Sequence, residues 1–275
     1  MANKLIITGV VILAGLTGYY IFHSPGQEII ENSFIKISSP EVGEIISSPL
    51  KIQGVTKSGW VVFEAQAGAA TLFDANGNKL GMAILRAVGE WMKPEVNFEG
   101  TLVFTNVPKT ETGKLIFKDD NPKDESEAKT YEMPIRFESF SKETRKVNLY
   151  YYNETKDREI ADYIPCGRDA VLQVERAIPI SQTPVQDAVN LLLKGGVSDE
   201  EKLAGFKTEF PLSGLKLIGA NLNNGTLTLK FDDPENKSGG GSCRVGLLWA
   251  QISKTALQFP EVKEVKFEPA ELFQP

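Results

Sequence analysis

Hydrophobic and polar positions follow three successive patterns along this chain, and each predicts a different kind of element. Residues 5–22, LIITGVVILAGLTGYYIF, are eighteen uncharged positions preceded only by Lys4 and the amino terminus. A helix needs about 17 to 25 such residues to cross a hydrocarbon core, so the run predicts a transmembrane signal anchor. The lone cation on its short side keeps residues 1–4 cytoplasmic and exports the rest, and Tyr19, Tyr20 and Phe22 cluster where aromatic rings favour the headgroup layer. A cleaved signal peptide is the alternative, but no small-residue processing site follows the run. Leu13-Ala14-Gly15 is followed by Leu16 rather than by a cysteine, which rules out thioether lipidation. Residues 23–32 read as a linker.

Over residues 33–138 the period is two. Ile35 and Ile37 alternate, Leu50-Lys51-Ile52-Gln53 alternates again, and Trp60-Val61-Val62-Phe63 is strand-like. Val96, Phe98, Gly100, Leu102 and Phe104 share one face of a strand, as do Tyr131, Met133, Ile135 and Phe137. Pro40, Gly43, Pro49 and Asp74-Ala75-Asn76-Gly77-Asn78 punctuate the runs. Seven or eight short strands with almost no helical periodicity predict an antiparallel β-sandwich. Asp119 to Lys129 is a charged, solvated connection.

Over residues 145–275 the pattern mixes periods, and an α+β fold follows, with helices on one face of a small sheet. Val147 to Tyr152 is a strand, and Ala170 to Val174 another. Thr183 is an N-cap candidate, Pro184 suits the first helical position, and Val185, Ala188, Val189 and Leu192 recur at helical spacing until Lys194-Gly195-Gly196 ends the helix. Ser198 to Glu201 is a capping box. Leu215 to Leu222 and Thr226 to Phe231 flank Asn223-Asn224-Gly225, a hairpin signal. A second helix carries Val245, Leu248, Trp249, Ile252, Ala256 and Phe259, Pro260 stops it, and Val262 to Phe267 is a last strand.

Composition narrows the function. Hydrophobic content of 41% supplies two ordinary cores. A net charge of −6 without basic blocks argues against nucleic acid, whose affinity comes from neutralised phosphates. The two cysteines, Cys166 and Cys243, are too few for a Cys-rich metal site, and the one histidine, His23, stands beside the apolar run, so neither a metal nor a cofactor is expected. In an exported chain the two thiols predict one disulfide; two separate buried thiols are the alternative.

Particular segments carry a resemblance. SPEVGEIISSPLKIQG (residues 39–54), Phe63-Glu64 and FEGTLVFTNVP (98–108) resemble the immunoglobulin-like domain of bacterial spore germination proteins. VNLYYYN, VERAIPISQTPVQDAVNLLLKGGVSDEEKLAGF (174–206) and GSCRVGLLWAQISKTALQFPEVKEVKF (241–267) resemble the GerMN domain of sporulation and spore germination. The resemblance implies an exported envelope protein with a spacer or adhesive sandwich, and it brings no catalytic residues.

Candidate chemistry is sparse. Without an imidazole near a core, His-dependent catalysis is excluded. Ser33–Lys36 and Ser48–Lys51 match S-x-x-K but fall in strand or turn context. Asp232 and Asp233 are adjacent on a strand and point to opposite faces, the wrong disposition for a carboxylate pair. Gly239-Gly240-Gly241-Ser242 could cradle an anion but lacks the lysine of a phosphate loop. Arg168, Arg176 and Arg244 flank the cysteines, either as a basic rim or as structural ion pairs. Trp249 and Phe259 read as core, and Tyr150-Tyr151-Tyr152 puts aromatics on both faces of a strand, by two-sided burial or as a partner surface. The chain therefore reads as no enzyme but a single-pass, extracytoplasmic cell-envelope protein. Its expected partner is another envelope protein, with cell-wall glycan (peptidoglycan) binding as the alternative.

Overall fold

The computed structural model describes residues 34–121, 127–160 and 166–274. The predicted anchor at 5–22, the linker at 23–32 and Ser33 lie outside the described residues. Among the described residues no helix is long and apolar enough to cross a membrane.

Eight strands build the first half: β1 (Ile35–Ser39), β2 (Ile45–Ile46), β3 (Leu50–Thr56), β4 (Gln66–Asp74), β5 (Lys79–Ala87), β6 (Asn97–Leu102), β7 (Thr112–Lys118) and β8 (Thr130–Phe137). They hydrogen-bond in the order β1-β3-β6-β5-β4-β7-β8-β2. The ladder narrows at one place: β5 pairs with β4 from Arg86 to Lys79 but with β6 only through Arg86 and Ala87. There the sheet turns over its own core. Ile35 of β1 and Ile46 of β2, at opposite ends of the order, bury into the same cluster, which a flat sheet would not allow. The expected all-antiparallel pairing is corrected at one edge, where β2 runs parallel to β8. Trp60 to Phe63 also departs from its expected strand and forms a loop. The indole N–H of Trp60 donates to the Ala67 carbonyl at 2.8 Å inside the core, so burial of that ring rather than ladder pairing sets the segment.

The second half contains β9 (Thr144–Asn153), α1 (Glu154–Ile160), a 3₁₀ turn (Arg168–Ala170), β10 (Val171–Pro179), α2 (Pro184–Leu193), α3 (Asp199–Leu203), β11 (Phe206–Lys207), β12 (Lys216–Asn223), β13 (Thr226–Asp232), α4 (Ser242–Leu257) and β14 (Glu264–Glu268). Its strands form two three-stranded sheets, β10-β9-β11 and β12-β13-β14, rather than the single small sheet expected. Helix α2 packs on α4, β9 and β12, while α4 also touches β9, β10 and β14. The helices thus join both sheets into one core of Leu149, Tyr151, Leu192, Leu229, Phe231, Leu248 and Ile252 among others.

Local chemistry explains the boundaries. Asn224 (φ 50°) and Gly225 (φ 86°) supply the two left-handed residues of the β12–β13 hairpin. Gly195 ends α2 at φ 71°, where a Cβ would lie 1.8 Å from the Phe210 carbonyl oxygen, so only glycine fits. Ser198 and Glu201 close the expected capping box on α3. Thr183 does not cap α2 with its side chain. The Ser181 hydroxyl instead accepts from the Thr183 N–H at 3.1 Å and bonds the Asp187 carboxylate of the first turn. The two halves belong to one compact unit.

Candidate functional site

The seam between the two halves is tied by backbone. Asp199, on the first turn of α3, accepts the Ile84 N–H of β5 on Oδ2 at 2.8 Å. The Ala177 N–H of β10 reaches the Thr105 carbonyl at 3.4 Å. Gly196 lies so close to Val103 that a Cβ there would come within 3.0 Å of its methyl.

Beside these ties opens a cleft of about 400 Å³ whose walls come from both halves. The sandwich contributes Ser47 and Ser48 before β3, Phe104, Asn106 and Pro108 after β6, and Glu138 after β8; the other half contributes Ile178, Ser181, Asp187, Asn190, Leu191 and Lys194. Phe104 is held edge-on against Phe137 with centroids 6.0 Å apart, and its N–H donates to the Ser48 hydroxyl at 3.0 Å. An apolar floor with amides, hydroxyls and both signs of charge at its rim is suited to non-covalent recognition. A second hollow of about 530 Å³ shares Asn106, Val107 and Ala177 and is lined by Lys79, Lys109, Lys146 and Arg176 with Glu175.

Cys166 and Cys243 form a disulfide with Cα atoms 5.4 Å apart. The bridge is backed by Asp157, which accepts the N–H groups of Cys166 (2.6 Å) and Gly167 (2.9 Å) and the Tyr152 hydroxyl (2.7 Å). Burial pushes the Asp157 carboxyl up, but these three donors together outweigh it and hold the group below its ordinary range. Burial and the adjacent carboxylate raise the Tyr152 phenol to about 12.

The three arginines form no common rim. Arg176 is buried and holds Glu201 through two bonds of 2.6 Å while also donating to the Gly196 and Glu175 carbonyls. Arg244 pairs with Glu209 at 2.6 Å and folds over the Gly239 carbonyl, across the glycine loop at residues 239–241. Arg168 stacks on Trp249. Asp233 accepts the N–H groups of Lys237 and Ser238, both at 2.8 Å, and so organises a turn; burial opposes its ionisation but these bonds prevail and its carboxyl sits low. Tyr151 is fully buried and Tyr150 and Tyr152 half-buried, so the tyrosine strand is covered on both faces. Phe259 is core, whereas Trp249 is only half-covered. Among the described residues no cluster of His, Cys, Asp and Glu could hold a metal ion. The seam cleft and the Asp157 hub escaped sequence reasoning, since both depend on pairs distant in sequence.

Residues 148–269 match the family model Germane, described as sporulation and spore germination. Residues 34–126 match Gmad2, the immunoglobulin-like domain of bacterial spore germination. Among solved structures, the first GerMN domain of the sporulation protein GerM from Bacillus subtilis is similar at 15% identity and a TM-score of 0.30, covering 45% of this chain and 80% of that one. No curated protein matches.

Proposed function

We propose, for a chain that carries an immunoglobulin-like domain of bacterial spore germination ahead of a sporulation and spore germination domain, a germination-related role as a membrane-anchored docking protein of the cell envelope. In this reading residues 5–22 hold the chain in the membrane, domains at 33–138 and 145–275 lie outside the cytoplasm, and the protein works through protein–protein contact without catalysis. The observation that carries the docking role is the seam cleft, to which both domains contribute walls. The same cleft favours the second reading, a cell-wall glycan binder, because Phe104 stands beside the amides of Asn106 and Asn190.

A photo-crosslinking residue at Asn190 of the full chain in its own envelope separates the two. Docking predicts a discrete crosslinked protein; recovery of peptidoglycan fragments alone would replace it with glycan binding. For topology, a reporter fused after Pro275 that needs export should be active, and protease added to spheroplasts should degrade both domains. Complete protection would mean the opposite orientation.

A further inference from the structure

Trp249 stands beside the buried stripe of α4, and Arg168 lays its guanidinium over the indole, 4.9 Å from the ring centroid. The main chain of Arg168 is fixed from two sides. Cys166, two residues earlier, is bridged to Cys243, and the Lys254 ammonium donates to the carbonyls of Arg168 (2.8 Å) and Val171 (3.0 Å). This stacked pair forms one wall of a hollow of about 450 Å³.

The opposite side is aromatic. Phe267 and Phe273 lie 5.1 Å apart, and both pack on Phe231, at 6.0 and 5.6 Å. Phe273 adopts φ 57°, a left-handed backbone that bulky residues seldom take, so its ring is held there against a local preference. Leu272 completes the apolar part. Gln274 donates its amide N–H to the Ala270 carbonyl at 2.6 Å, which leaves its side-chain oxygen as an acceptor at the rim.

Charge separates a structural contact from a site. The chain carries a net charge of −6, yet among the described residues no carboxylate pairs with Arg168. Lys266 at the rim meets Glu264 only at 3.5 Å, with both side chains more than half exposed. A cation–π contact with the Trp249 ring accounts for the face of the guanidinium. Among the described residues the edge N–H groups have no carboxylate partner, and they form the planar fork that matches a carboxylate in bidentate fashion.

We propose that this hollow binds the carboxylate of a peptide whose neighbouring side chain is apolar. The Arg168 fork takes the carboxylate, Phe267, Leu272 and Phe273 take the apolar side chain, and the Gln274 oxygen accepts a peptide N–H. A bare phosphate fits less well, since it is not planar and leaves the aromatic floor unused. The site is separate from the seam cleft and stands whether or not that cleft takes a partner.

The test uses the full chain in detergent, titrated with N-acetyl-alanyl-leucine, its C-terminal amide and inorganic phosphate, with the Trp249 indole and Arg168 Nε–H signals followed by NMR. The free acid should shift both signals saturably, and the amide should bind at least about tenfold more weakly. Arg168→Lys, which keeps the charge but loses the fork, should weaken the acid by about the same factor without moving the thermal midpoint. No saturable shift at millimolar acid, an equal response to the amide, or phosphate binding as tightly as the acid would each overturn the proposal.

Discussion

Among the described residues of the second half, Tyr151 carries the one aromatic hydroxyl that is fully buried without a hydrogen bond. Gly196 is a polar neighbour, but its N–H does not complete a bond of normal geometry. Burial is the main cause that pushes this phenol far above its usual range, with the nearby Arg176 opposing it. A buried hydroxyl without a partner forfeits its hydration and gains nothing in exchange. Tyr151→Phe should therefore leave stability unchanged or raise it by about 1 kcal/mol in urea unfolding; a loss of that size would show that the hydroxyl is bonded after all. The burial of Tyr151 was legible in sequence as aromatics on both faces of one strand. Arg176 was legible only in part: its place beside the cysteines allowed a structural ion pair or a basic rim, and the ion pair is what forms. Its real partner, Glu201, is also the capping residue of α3 and binds the Ser198 N–H at 2.8 Å. Sequence spacing displays the capping box but not the buried cation that the same carboxylate serves.

Elements whose pairing is local were readable, and those completed by remote side chains were not. The β12–β13 hairpin, the end of α2 and the α3 capping box all follow from residues within a few positions of each other. Strand β9 shows the other case. Partner β11 reaches only Tyr152 and Asn153, so the rest of that edge needs other cover. Helix α4 supplies it: the Gln258 amide accepts the Asn148 N–H and donates to the Asn148 carbonyl, both at 2.7 Å, and the Thr255 hydroxyl accepts the Tyr150 N–H at 3.1 Å. Gln258→Ala strips two half-buried backbone groups of their partners and should cost about 1–3 kcal/mol; Gln258→Glu retains the acceptor only and should fall between. Midpoints indistinguishable from the parent in both variants would mean water replaces the amide without loss. Asp157 joins β9, α1 and the bridged segment in a related way, and its carboxyl is depressed below 3.8. A depressed carboxylate contributes stability that is complete above the unfolded value and is lost as pH falls through the folded one. Acid weakening should accordingly begin below about pH 4, and Asp157→Asn should flatten that limb when urea midpoints are compared at about pH 5 and about pH 3. Asp74 and Asp233, whose carboxyls are also held low, should preserve part of the slope.

At the scale of the whole molecule, the question is how far two separate hydrophobic cores behave as one body. The Cys166–Cys243 bridge spans 77 residues, all in the second half, and in the chain-entropy model a loop of that length stabilises by about 4.5 kcal/mol. Cys243→Ser should cost that half about 2–4 kcal/mol and leave the sandwich core folded, since the sandwich has a hydrophobic cluster of its own, distinct from that of the bridged half. Near-ultraviolet dichroism and limited proteolysis would check it, and joint collapse of both halves would count against separate domains. The change from period two to mixed periods near residue 140 displayed the two architectures, but nothing in that pattern announced the seam, because Asp199 looks like an ordinary first-turn acid. Its side chain is instead the acceptor for Ile84, a backbone group in the other half. Asp199→Ala leaves that N–H without a partner and also loses the Lys202 pair at 3.0 Å, whose charge is mostly exposed and adds little. Asp199→Asn loses the same ion pair but keeps an oxygen for Ile84. If the seam tie couples the halves, calorimetry of Asp199→Ala should resolve two transitions where the parent shows one, and Asp199→Asn should restore the single peak. Matching behaviour of the two variants would assign the effect to the helix-terminal charge and leave the seam to apolar packing alone.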